Sequence, residues 1–127
     1  MFIVKDTRPV NLDIGSMRLP VTAWASITHR VSGVFLFVTS ALMLWALDAS
    51  LRSPESFARL ADVLTNGVVT LVIWALGTAL LYHSLAGIRH LAMDFGVGES
   101  LPGGVLGARL VFGATIVLSL TLGVWLW

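Results

Sequence analysis

The chain contains no cysteine. That excludes disulfides, thiolate metal sites, cysteine-held iron–sulfur clusters and any haem attached through C-x-x-C-H. Charge is scarce too: only 12% of the 127 residues are Asp, Glu, Lys or Arg, against about 25% in an ordinary soluble domain. The net charge of +1 provides no basic surface for nucleic acid, and none is expected as a partner. A glycine-rich phosphate loop, a nucleophile elbow and a carboxylate pair for acid–base work are all missing. The first twenty residues, MFIVKDTRPVNLDIGSMRLP, carry charges and prolines where a signal peptide needs a continuous apolar run. They are expected to be a polar arm on a chain that is already mature.

What is abundant is apolar. Hydrophobic residues make up 57% of the chain and mean hydropathy is +0.89. The expected class is an all-α membrane protein, one domain over 1–127 with an arm at 1–20 and spans at about 21–49, 63–95 and 108–127. Val31–Leu47 gives 17 uncharged residues, the lower end of a spanning length, and Val63–Ile88 gives 26. Residues 48–62 read as a loop in which Ser53, or alternatively Ser56, caps a short helical turn. Residues 96–106, with four glycines and Pro102, read as a second loop. In the last span Thr115, Ser119 and Gly123 recur every four residues, a stripe that lets another helix come close. Trp125 and Trp127 anchor its end at the interface.

Three spans put the termini on opposite sides. Lys5, Arg8, Arg18, Arg30, Arg89 and Arg109 share one side, and Arg52 and Arg59 lie on the other. The bias places the N-terminus in the cytoplasm and the C-terminus across the membrane.

One stretch carries the chemistry: H-S-L-A-G-I-R-H-L-A-M-D-F-G, His83–Gly96. On a helix His83, Gly87, His90 and Asp94, at offsets of 0, 4, 7 and 11, share a face running from the apolar interior to the water boundary. His83 lies roughly 10 Å deeper than His90 by helical rise. Two readings of His83 stand. It hydrogen-bonds a neighbouring helix, or it is an axial ligand of a non-covalent haem, with small Ala79, Ala86 and Gly87 leaving room for a flat macrocycle. His29, Arg30, Arg89 and His90 fall at one rim level, where they suit either haem propionates or lipid phosphates. Ser26 and Arg30, four apart, present a hydroxyl and a guanidinium to one side; that pair suits a quinone carbonyl, or is an interfacial serine beside a snorkelling arginine. Asp94 reads as a helix-end partner for Arg89 or Arg30, with a proton relay as the alternative.

Three motifs, R-P-V-N-L-D at 8–13, S-I-T-H-R-V-S-G at 26–33 and the stretch at 83–96, resemble the cytochrome b subunit of succinate dehydrogenase, complex II. The order, the spacing and the three-span layout all agree. The resemblance implies three transmembrane helices in a haem-binding bundle shared with a second small anchor subunit, which supplies the other axial histidine. It also implies an iron–sulfur subunit and a flavoprotein, docked on the cytoplasmic face of a bacterial inner membrane. One haem b and the substrate ubiquinone are the implied ligands. By motif position, His83 looks like the axial ligand, Ser26 and Arg30 look like quinone-site residues, and His29, Arg30 and His90 look like neighbours of the haem propionates. The dicarboxylate chemistry falls to another subunit. The alternatives are a cytochrome b anchor of another quinone-linked dehydrogenase or fumarate reductase, and a haem-free structural anchor.

Overall fold

The computed structural model describes Asp13 and residues 16–127. Most of the expected arm, including Lys5, Arg8 and all but Asp13 of the R-P-V-N-L-D motif, lies outside the described residues. Among the described residues there are four helices: α1 (Val21–Arg52), α2 (Pro54–Leu64), α3 (Gly67–Asp94) and α4 (Leu101–Leu126). Three of them, α1, α3 and α4, are long and apolar enough to cross a membrane. Even α4, with 26 residues, extends about 39 Å, more than the roughly 30 Å of a hydrocarbon core.

The expected loops are mostly helical. Pro20 precedes α1 in an extended conformation and fills the cap position without a side-chain bond. At the far end, Ser53 breaks the helix and starts the next. Its hydroxyl accepts from the Ser56 amide at 3.2 Å, and the Ser56 hydroxyl accepts from the Ser53 amide at 3.0 Å. Pro54 occupies the first turn of α2, where its missing N–H costs nothing. Both serines therefore cap, as a reciprocal pair. The Ser53 hydroxyl also holds the neighbouring Glu55 carboxyl below its usual range. Asn66 caps α3 through the Val68 amide at 3.0 Å.

The turn from α3 to α4 is shorter than the glycine content implies. Gly96 and Gly98 take the left-handed conformations, φ 82° and 78°, that turn the chain. Ser100 then caps α4 by accepting from the Gly103 amide at 3.3 Å, with Pro102 in the first turn. Gly103, Gly104 and Gly107 are thus helix residues, and α4 begins at Leu101 rather than at Ala108.

Helices α3 and α4 form the closest pair; α1 packs mainly on α3. The buried positions are small or hydroxylated: Ala25, Ala86, Ala108, Ser32, Thr115 and Ser119 among them. Large apolar residues face outward, Phe37 being 79% exposed and Trp125 80%. Such an inside-out distribution fits lipid, where helix contacts depend on close backbone approach and hydrogen bonds instead of water exclusion. The small-residue stripe of α4 meets α3. Trp74 Nε1 donates to the Ser119 carbonyl at 2.8 Å, and the Thr78 and Ser119 hydroxyls are 2.6 Å apart. A Cβ at Gly123 would stand 3.2 Å from Trp74 Nε1.

The substitution Gly123→Val pushes the Trp74 indole from its carbonyl. It is expected to cost about 1–3 kcal/mol, read as a lower denaturation temperature in detergent. Gly113→Val, whose Cβ meets nothing within 4 Å, is expected to leave that temperature unchanged.

Candidate functional site

The site lies where α1 crosses α3. Two neighbouring residues of α3 reach α1 by hydrogen bonds. Tyr82, 5% exposed, donates its hydroxyl to the Ala25 carbonyl at 2.7 Å. Its ring stacks on Phe112 of α4 with centroids 5.4 Å apart, so one side chain ties three helices together. His83 then approaches α1 one turn beyond Ala25. Its Nδ1 is 3.0 Å from Ser32 Oγ and 3.2 Å from the His29 carbonyl oxygen.

A carbonyl oxygen can only accept, so the bond to His29 requires a proton on His83 Nδ1. In the neutral ring Nε2 then keeps its lone pair. Nε2 makes no hydrogen bond to the described residues. Gly33 provides the space for the ring: a Cβ there would stand 3.0 Å from His83 Cε1. The imidazole is fixed at one nitrogen, fitted against a glycine and free at the other.

The other histidines gather around it. The His29 ring stacks on His83 with centroids 4.3 Å apart and planes 24° from parallel. His90 also lies against His29, with centroids 5.1 Å apart and planes 38° from parallel. Stacked rings turn faces to each other, not nitrogens, so His29 is not arranged as a ligand opposite His83. His29 Nε2 is buried without a partner, and a Cβ at Gly87 would come within 3.8 Å of it. A buried polar nitrogen of this kind wants an acceptor.

Ser26 is half-buried and Arg30 exposed. Among the described residues neither side chain has a hydrogen-bond or ion-pair partner. Below Arg30 the surface of α1 is an open apolar groove formed by Val31, Val34, Phe35 and Val38. Polar head groups free to bond thus stand above an apolar strip.

Two expectations change. Arg89 does not join the histidines at the rim. It turns into α4, donating from Nη2 to the Gly104 carbonyl at 3.1 Å, while a Cβ at Gly107 would stand 3.1 Å from its Nε. The glycines that resemble a loop are the groove that receives it. Asp94 makes no ion pair with Arg89 or Arg30; among the described residues the ion pair is Asp48 with Arg52, on the exposed end of α1. An exposed pair of that kind contributes little.

The model of the succinate dehydrogenase/fumarate reductase transmembrane subunit family matches residues 4–122. The chain belongs to this family. It is 44% identical over 121 residues to the succinate dehydrogenase cytochrome b556 subunit of Coxiella burnetii, covering 94% of this chain and 97% of that one. It is 32% identical to the subunit of the same name from Paracoccus denitrificans, over 91% and 88% of the two chains. The similarity to the Rickettsia felis subunit is 27% over 98% and 94%. Three apolar helices in a chain of this family make a multi-pass membrane protein, a succinate dehydrogenase cytochrome b membrane subunit.

Within this subunit three contact residues escape a reading by residue type: Ser32, Gly33 and Tyr82. Ser32 and Gly33 lie three and four residues from His29, one turn along its face, which is the available signal. Tyr82 is the one tyrosine of the chain and adjoins His83.

Tyr82→Phe removes the link to Ala25 and keeps the ring. It is expected to cost about 1 kcal/mol, measured by thermal denaturation in detergent. Tyr82→Ala, which also empties the contact with Phe112, is expected to cost about 3 kcal/mol or more.

Proposed function

We propose that this chain is the membrane-anchor cytochrome b subunit of a succinate:ubiquinone oxidoreductase in a bacterial inner membrane. It is a single membrane domain with its N-terminus in the cytoplasm. It shares one haem b with a second small anchor subunit and helps to form the site of ubiquinone reduction. An iron–sulfur subunit and a flavoprotein complete the complex, and the dicarboxylate is oxidised on the latter side of it.

The observation that carries this reading is the state of His83. Its Nδ1 is anchored to the other helix and its Nε2 is left with a lone pair and no partner among the described residues. A metal-bound histidine is held in this way, with one ring nitrogen donating to a carbonyl or hydroxyl and the other on the metal. The residues present fit a haem. His83 would hold the iron, and Gly33 keeps its ring in place. Bound there, a haem supplies a one-electron redox centre. The buried, unpartnered Nε2 of His29 and the neighbouring His90 and Arg30 are suited to propionate oxygens. The stacking of His29 on His83 supports a second axial histidine from the partner chain.

Ser26 and Arg30 are assigned to the quinone. Having no partner among the described residues, they are free to bond a ring carbonyl. The guanidinium stabilises the negative charge that develops there on reduction, and the hydroxyl donates a hydrogen bond. The relatives named above are succinate dehydrogenase subunits, which favours succinate oxidation over fumarate reduction as the physiological direction. A two-haem anchor would need more histidines than the three in this chain.

The test uses the complete complex, purified through a tag on this chain. Wild type is expected to show a b-haem band in reduced-minus-oxidised spectra and succinate:ubiquinone reductase activity. His83→Ala is expected to remove or redshape that band. Arg30→Ala is expected to slow ubiquinone reduction by about 100-fold, with Ser26→Ala acting in the same direction, while succinate-dependent reduction of a soluble dye is retained. A wild-type complex without haem, or unchanged quinone reduction in both variants, contradicts the assignment.

A further inference from the structure

We infer that Ser32 is a positioning residue for His83, and that its hydroxyl sets how strongly His83 Nε2 donates to iron. The inference rests on the proposed haem ligation and adds a residue to it.

Ser32 is 8% exposed on the side of α1 that faces α3. Its hydroxyl donates to the His29 carbonyl at 2.8 Å. The single hydroxyl proton is thereby committed, so toward His83 Nδ1, 3.0 Å away, the oxygen accepts. Nδ1–H is therefore shared between two acceptors, the Ser32 oxygen and the His29 carbonyl at 3.2 Å. The serine contact is the shorter. The three groups close a small cycle in which every polar atom is satisfied, within a span where an unmade bond is costly.

A serine in a transmembrane helix could bond its own backbone and do nothing else. Thr39, Ser40 and Ser50 of the same helix do so. Ser32 differs by adding a contact across to α3. That contact acts on the free nitrogen in two ways. It fixes the tautomer and the ring angle, with Gly33 against Cε1 of the ring. It also withdraws the Nδ1 proton toward the hydroxyl, making Nε2 a stronger donor. A stronger donor favours the ferric state and lowers the midpoint potential. Without the hydroxyl, Nδ1 keeps only the longer carbonyl bond.

The test is a potentiometric titration of the b haem in the purified complex carrying Ser32→Ala, Ser32→Cys or Ser32→Thr. Alanine deletes the hydrogen bond, cysteine keeps the size with a weaker acceptor, and threonine keeps the hydroxyl. Ala and Cys are expected to raise the midpoint potential, with Thr near wild type. Loss of donor strength worth tenfold in ferric over ferrous preference corresponds to about 59 mV. Unchanged potentials and spectra in Ala and Cys overturn the inference. So does the same upward shift in Thr, which would trace the effect to packing. If the Ala complex fails to assemble, the Cys and Thr pair decides alone. A wild-type complex that holds no haem would instead remove the haem reading itself, before Ser32 is at issue.

Discussion

The hydrogen bond from His83 Nδ1 to the backbone of α1 is the constraint on which the site depends. An imidazole inside the hydrocarbon region is costly unless both nitrogens are used. The fold satisfies one nitrogen from within and leaves the other without a partner among the described residues, where the proposed haem would use it. Close approach is a precondition. Gly33 admits the ring, Tyr82 fastens α3 to the Ala25 carbonyl a turn away, and the two helices are held at the separation the bond requires. The same contact brings His29 and His90 alongside, so a single crossing point collects all three histidines.

The rest of the bundle follows a different rule with the same solvent in mind. Lipid gives no reward for hiding a leucine, so the interior is made of Ala, Ser, Thr and Gly while Phe, Val and Trp face out. Between α3 and α4 the joining elements are the Trp74–Ser119 and Thr78–Ser119 bonds at one end and Arg89 in its glycine groove at the other. Arg89 therefore stabilises the pairing of α3 with α4, leaving His29, His90 and Arg30 as the polar groups beside the proposed haem. The division of labour is spatial: α3 binds α4 on one side and meets α1 on the other, where the proposed haem ligand stands.

Much of this was legible in the chain. Long uncharged runs require helices, because only internal hydrogen bonding satisfies a backbone in lipid. The four-residue recurrence of Thr115, Ser119 and Gly123 marked a contact stripe, which α3 fills. The boundaries were harder. Gly103, Gly104 and Gly107 have the composition of a loop, and only the cap at Ser100 and the arginine against them explain why they are helical. Arg89 had the sequence position of a rim residue, but its neighbours are set by which face of α3 meets α4, a tertiary fact. Ser32 was equally hidden. Its type is common in membrane helices, and its distinction lies in a bond to a residue 51 positions away.

The central claim is that His83 Nε2 is an axial ligand to haem iron. The most direct measurement is the spectrum and midpoint potential of the b haem in a complex carrying His83→Met. Replacing an imidazole by a thioether raises the potential of a haem. Either that rise, with an altered spectrum, or loss of the haem is expected. A haem with wild-type spectrum and potential in this variant would contradict it, because the iron would then be held without His83.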